Sequence, residues 1–245
     1  MKRFRATTEE NALLRRFNNV TPSTAKYSET FTASQQLSVL GNAAFNFGTN
    51  PFTVELWVYP TTIGLVNYDL VDSDNGSTYF TIGIVGQAGG GALRLIVNNG
   101  MGGNTTGLSA VVLTTNTWYH IAMMRNGDSA SLFVNGTCVL TVAGLAAYSI
   151  GTSTLPWYIS GNSTSGGQAN RFVGSLTNVR IVSGQDVYAF GTTVGIQYFI
   201  VPTAPLSVIR GTQLLLQGLV DVGPNAFTVT NTGSVTTAST PSPFA

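Results

Sequence analysis

Several groups of residues in this 245-residue chain carry side chains that could do chemistry. The first is acidic. Asp72-Ser73-Asp74-Asn75-Gly76, with Asp69 nearby, gathers the hard oxygen donors that calcium prefers. The glutamate that closes an EF-hand loop is missing, and Asp-Asn-Gly is also a good turn. A calcium site through Asp72 and Asp74 and a plain turn therefore both stand at this point. A second group is Glu55 and His120. Hydrolysis of a glycosidic bond needs two carboxylates about 5 to 9.5 Å apart across the sugar. Glu55 is alone in mid-strand, with Thr53 and Trp57 as its same-face neighbours. A Ser/His/Asp mechanism would have to use His120, the sole histidine, inside an apolar strand. Neither pattern is that of an enzyme, and no catalytic residue is expected. A third group is Trp157, Tyr158, Asn162 and Gln168, beside a polar loop from Gly161 to Asn170. Aromatic rings stack on pyranose faces and amides bond hydroxyls, so these four are carbohydrate-binding candidates. Trp57 and Trp118 read as core, while for Trp157 core and sugar platform are both open.

These side chains need elements to hold them, and the pattern is that of strands. From about Phe31 the hydrophobic period is two, with turn signals roughly every ten residues. Phe52 to Tyr59 alternates and stops at Pro60. Tyr79 to Val85 and Ala92 to Val97 are bounded by Asn75-Gly76 and Asn99-Gly100, and Trp118 to Arg125, Ser131 to Val134 and Cys138 to Val142 are separated by Asn126-Gly127 and Asn135-Gly136. Asn-Gly between alternating runs is a hairpin signal. Trp157 to Ser160, Leu176 to Val182, Gln213 to Gln217 and Phe227 to Thr230 read as further strands. The fold class is all-β: a two-sheet antiparallel jelly-roll sandwich over residues 31–233. Residues 234–245, rich in Thr, Ser and Pro, read as a tail with little core of its own.

Residues 1–30 differ. Thr7 and Glu10 have capping-box spacing, and Leu13, Leu14 and Phe17 make a narrow apolar stripe, so one short helix in an extended arm is expected. Six of the eleven basic residues (Lys2, Arg3, Arg5, Arg15, Arg16, Lys26) lie in the first 26 positions, beside only Glu9 and Glu10. Scattered charges of this kind give at best salt-sensitive, nonspecific phosphate contact. Arg3, Arg5, Leu13, Leu14, Arg15, Arg16 and Phe17 are read instead as an assembly arm that docks on protein, because so narrow a stripe cannot hold a helix alone. With 9% charged residues and a net charge of +1, the body has little repulsion to keep copies apart, as in a subunit covered by neighbours.

Other classes are excluded. Cys138 is the sole cysteine, so there is no intramolecular disulfide and no cysteine-based metal site. The N-terminus runs from Met-Lys-Arg-Phe-Arg into Thr-Thr-Glu-Glu-Asn, which is not a signal peptide. No run approaches the ~18 apolar residues of a membrane helix. The Asn-x-Ser/Thr sites at Asn75, Asn104, Asn135 and Asn162 would matter only in a secretory pathway.

Four ordered motifs, Phe52-Thr-Val-Glu-Leu-Trp-Val-Tyr-Pro60, Thr117-Trp-Tyr-His-Ile-Ala122, Leu132-Phe-Val-Asn-Gly136 and Phe172-Val-Gly-Ser-Leu-Thr-Asn-Val-Arg-Ile181, resemble laminin G-like, concanavalin A-type domains over roughly residues 31 to 230. The resemblance implies a jelly roll of two antiparallel sheets. The ending, Pro202-Thr-Ala-Pro205, Gly211-Thr-Gln-Leu-Leu-Leu216, Phe227-Thr-Val-Thr230 and Ser242-Pro-Phe244, looks like the tail of such domains in structural proteins of tailed bacteriophages, especially of marine hosts. It implies a virion component, a capsid decoration or a tail or fibre subunit, located in the particle, with other virion proteins or copies of itself as partners and host-surface glycan as a further contact. The alternative is a free lectin-like module. The chain departs from the family at Thr177-Asn178, where many members carry an acidic pair. No cofactor is expected beyond calcium, no specific nucleic acid and no membrane insertion.

Overall fold

The computed structural model describes residues 27–73, 78–99, 104–151, 156–162 and 170–244. Its first sheet contains β1 (Ser28–Phe31), β3 (Phe52–Pro60), β8 (Tyr119–Asn126), β9 (Ser129–Val134), β10 (Thr137–Val142), β12 (Gly174–Ser183), β13 (Thr212–Gln217), β14 (Val220–Asp221) and β16 (Thr236–Ala238). Its second sheet contains β2 (Gln36–Val39), β4 (Asn67–Asp72), β5 (Thr78–Gln87), β6 (Gly90–Asn99), β7 (Asn104–Leu113), β11 (Trp157–Ile159) and β15 (Val229–Thr232). The order is β10-β9-β8-β3-β12-β1-β16 in the first, with β13 and β14 branching from β12, and β15-β2-β11-β4-β5-β6-β7 in the second. All the ladders between these strands are antiparallel.

Period-two alternation builds the core between the sheets. Phe52, Val54, Leu56 and Val58 of β3 face Phe80, Ile82 and Ile84 of β5 and Leu93, Leu95 and Val97 of β6 within one apolar cluster. The β9–β10 hairpin has the expected chemistry: Asn135 and Gly136 both take positive φ, 49° and 82°, as a type I′ turn demands. Gly136 has a second reason to lack a side chain, since a Cβ there would meet the Phe199 carbonyl oxygen at 2.0 Å. Phe199 belongs to a strap, residues 184–206, laid across the outer face of the first sheet. Tyr188, Phe190, Tyr198 and Phe199 of the strap cover a second apolar cluster of Ala122, Met124, Phe133 and Cys138.

Three expectations change at the edges. The arm with its helix, including Arg3, Arg5, Leu13, Leu14, Arg15, Arg16 and Phe17, lies outside the described residues except for its last positions, and there Ser28–Phe31 is strand β1 between β12 and β16. The sandwich thus starts at Ser28 rather than residue 31. The segment 234–245, read as a tail, supplies β16, the buried Val235 and the buried Phe244, whose ring meets Trp57 edge-on at 5.6 Å. Trp118 is half-buried beside Tyr59 rather than in the core, whereas Trp57 is buried as expected, on the outer face of the first sheet.

Candidate functional site

The polar residues that the sandwich concentrates on one face lie on the second sheet. β4 turns Tyr68, Leu70 and Val71 into the core, an irregularity between Asp69 and Val71 letting Leu70 and Val71 both face inward, so that Asp69 and Asp72 both point outward. Across the strands, Asp69 is in register with Gly83 of β5, and Gly83 with Arg94 of β6. Arg94 Nη2 donates to Asp69 Oδ1 at 2.6 Å, bridging over β5. Gly83 makes this possible. A Cβ at that position would stand 2.7 Å from the Tyr68 carbonyl oxygen, 3.1 Å from Asp69 Oδ1 and 3.5 Å from Arg94 Nη2, so any side chain would push into the ion pair. Asn162 Nδ2 donates to Asp69 Oδ2 at 2.9 Å, and the Asn170 side chain bonds the same carboxylate. Burial nevertheless pushes the Asp69 carboxyl above its ordinary range, with the Arg94 charge and the amides only partly offsetting it. Arg171 pairs with Asp69 in an isolated parallel bridge, and its stem lies against Gly161. In the adjoining row Tyr158 is in register with Asp72, and Asp72 Oδ2 accepts from Thr81 Oγ1 at 3.3 Å.

The outer face of the first sheet holds another buried carboxylate. Glu55 Oε1 accepts from Arg180 Nε at 2.7 Å, and Oε2 is bonded to His120 Nε2 at 3.0 Å and to the Tyr188 hydroxyl at 2.7 Å. Burial alone would raise its pKa, but the His120 hydrogen bond, the Arg180 charge and Tyr188 together hold it below the usual carboxylate range. The same contact, after burial, drives the Tyr188 phenol upward. Glu55 is fully buried beneath the Tyr188 strap, so a saccharide has no approach to it. Asn178, at φ 54°, sits where β12 passes from pairing β1 to pairing β13. It accepts from the Leu206 amide and from Gln217, anchoring the far end of the strap. This is the position where the expected acidic pair is absent.

The model of a family described as "Concanavalin A-like lectin/glucanases superfamily", of the laminin G type, matches residues 31–185. The chain belongs to this superfamily. No curated protein matches it. A candidate carbohydrate-binding protein from Bacteroides ovatus ATCC 8483 has a similar fold, with a TM-score of 0.62 at 19% identity over 92% of this chain and 63% of that one. This chain therefore spans a little under two thirds of that protein's length. The heptameric SAP-like pentraxin of Limulus polyphemus is similar with a TM-score of 0.50 at 12% identity, over 65% of this chain and 77% of the other.

Within this concanavalin A-like sandwich, the sequence candidates divide. Tyr158, Asn162 and Asp72 share the outer face of the second sheet. Trp157, read as open between core and sugar, is 1% exposed and stacks on Phe45 at 4.9 Å, with Phe80 and Phe47 edge-on at 5.1 and 5.9 Å. It is withdrawn as a sugar contact, because alternation in the three-residue β11 turns Trp157 and Ile159 inward and only Tyr158 outward. Gln168 and Asp74 lie outside the described residues. Among the described residues no cluster of three or more His, Cys, Asp and Glu could hold a metal ion, and no helix is long and apolar enough to cross a membrane. Gly83, Arg94, Asn170 and Arg171 were not singled out from the sequence. The signal was a glycine in mid-strand, which marks close approach.

Proposed function

We propose that this protein is a non-catalytic glycan-binding module whose contact surface is the outer face of the second sheet, around Tyr158 and Asn162, with the buried Asp69 positioning Asn162 and Arg94 from beneath. The observation that carries it is the Arg94–Asp69–Asn162 network built over Gly83 on a sheet face rather than in the core. A pre-oriented carboxylate, amides and a phenol ring in adjoining rows supply the directional polar groups and stacking surface that sugars need. The fold neighbour described as a candidate carbohydrate-binding protein supports the same reading. The burial of Glu55 under Tyr188 supports the absence of hydrolysis. Binding to an array of neutral and acidic glycans tests it: the parent protein retains a subset, and Tyr158→Ala loses about tenfold or more in affinity while staying folded. A parent that is folded yet retains no glycan defeats the reading.

A second reading places the module in a bacteriophage particle, as a capsid decoration or a tail or fibre subunit assembled through residues 1–26 and touching host glycans outward. The favouring observation is charge: six of eleven basic residues but only two of ten acidic ones precede residue 27, leaving a body with five basic and eight acidic residues, and Leu65, Val66 and Ile200 stand exposed on the body. Light scattering on the full chain and on a chain lacking residues 1–25 separates the two. An oligomer that becomes a folded monomer on truncation supports assembly through the arm; monomers in both cases leave the free lectin-like module. Calcium through Asp72 and Asp74 is tested by melting with calcium and with chelator, a calcium-dependent rise that Asp72→Asn abolishes being the supporting result.

A further inference from the structure

Among the described residues, two arginine nitrogens on the outer face of the second sheet are buried and have no hydrogen-bond partner: Arg94 Nε and Arg171 Nη1. A guanidinium carries five donors and keeps its proton, so a buried N–H without an acceptor asks for an explanation, of which a missing anion is one. Both residues are tied to Asp69, one by its side chain and one by its backbone. Arg94 reaches it across β5, while Arg171 is borne by the residue that bridges Asp69. Asp69 already serves Arg94, Asn162 and Asn170. Asp69 Oδ1 is taken by Arg94 and Oδ2 by Asn162, and Arg171 forms no ion pair with a described carboxylate. Burial lowers the affinity of Arg171 for its proton. Asp72, in the adjoining row, is engaged with Thr81. Gly161 keeps the flank of Arg171 clear, since a Cβ there would come within 3.3 Å of Arg171 Cγ and 3.1 Å of Gln36 Nε2.

We propose that Arg171 forms a subsite for the oxyanion of an acidic glycan, a carboxylate or a sulfate held against the guanidinium edge. The inference rests on the outer face of the second sheet being the glycan-binding surface, and it names the class of glycan that face prefers. Guanidinium matches planar carboxylate and sulfate oxygens with paired N–H donors. The Asp69–Arg94 pair would orient the sugar, and Arg171 would supply the uncompensated charge.

The test uses matched immobilised probes, N-acetyllactosamine in its neutral, sialylated and sulfated forms and galactan against galacturonan oligosaccharides, with the full chain and with Arg171→Gln and Arg171→Lys. The expected result is at least about tenfold tighter binding of one charged form over its neutral partner. That preference should fall as NaCl rises from about 50 to about 300 mM. It should vanish in Arg171→Gln with neutral binding unchanged, and survive in part in Arg171→Lys. Comparing the carboxylated and sulfated forms tells which oxyanion is held. Equal binding of charged and neutral forms by the parent, or a preference that survives in Arg171→Gln, overturns the subsite and leaves the glycan face standing. Retention of none of the probes by folded parent protein overturns both. Equal melting temperatures of the parent and Arg171→Gln show that the effect is on the ligand and not the fold.

Discussion

The two outer faces of the sandwich solve one problem in opposite ways. Each holds a buried carboxylate beside an arginine: Glu55 with Arg180 on the first sheet, Asp69 with Arg94 on the second. Glu55 is surrounded by a cationic fork, an imidazole and a phenol, and is roofed by an apolar strap. The net effect favours its ionised form. Asp69 has one cation and two amides, and burial wins against them. The first face is sealed, and both Glu55 oxygens are engaged, although His120 Nδ1 and Trp57 Nε1 there also lack a partner. The second keeps a carboxylate whose charge folding disfavours and two arginine nitrogens with no acceptor.

The comparison breaks first at Glu55. Glu55→Gln removes the counter-charge of Arg180, which is 4% exposed, and an uncompensated buried charge costs about 3–5 kcal/mol. Chemical denaturation should show that loss, and thermal melting a drop of roughly 10 °C. The sign with pH follows from the depressed pKa. The stabilisation by Glu55 is present above the ordinary carboxylate range and is lost as pH falls through the folded-state value. Parent and variant should therefore converge under acid conditions. An unchanged midpoint at neutral pH would show that the sealed face adds nothing net.

A third carboxylate sharpens the contrast because it has no arginine at all. Glu29 in β1 is 2% exposed, and neither of its oxygens makes a hydrogen bond of ordinary geometry. Burial pushes its carboxyl well above the usual range, while the backbone amides of Glu29 and Gly218 pull it down by less. Its folded form prefers the proton, so stability is full below the ordinary carboxylate range and declines as pH rises toward the raised value. Glu29→Gln should raise stability by about 1–2 kcal/mol at neutral pH, with the gain shrinking toward zero near pH 4. A gain that is the same at both pH values would mean that the carboxyl is not the cause.

How much of this was legible from the sequence depends on distance along the chain. The β3 strand and the β8–β9–β10 hairpins were readable because alternation and Asn-Gly turns are local signals, and the structure returns them within a residue or two. Glu55, His120 and Arg180 lay inside recognised strands, but their meeting depends on β3 lying between β8 and β12, a pairing that no local pattern encodes. The Asp69–Arg94 pair is 25 residues apart in sequence and needs the irregularity after Asp69 to bring the carboxylate outward. Trp157 was ambiguous for a different reason. A strand of three residues gives too little alternation to choose a face, and only packing on Phe45 settles it. The terminal segment misled because Thr, Ser and Pro hide two anchors, Val235 and Phe244, whose burial depends on Trp57 and β1 already being in place.

The smallest expected effect lies on the second sheet and decides what its polar network is for. If Asp69 were held for stability as Glu55 is, Asp69→Asn would cost several kcal/mol. Its raised pKa argues otherwise: ionised Asp69 is disfavoured by folding, so its contribution is full below the ordinary carboxylate range and declines as pH rises through the folded-state value. Asparagine is close to the protonated form in shape and keeps an acceptor for Asn162. Asp69→Asn should therefore change stability at neutral pH by no more than about 1 kcal/mol, while glycan binding falls because the carboxylate that orients Arg94 and Asn162 is gone. Melting and array binding measured on the same preparation separate the two roles. A large loss of stability with binding intact would make the second face another piece of scaffold, and the asymmetry between the faces would then carry no functional meaning.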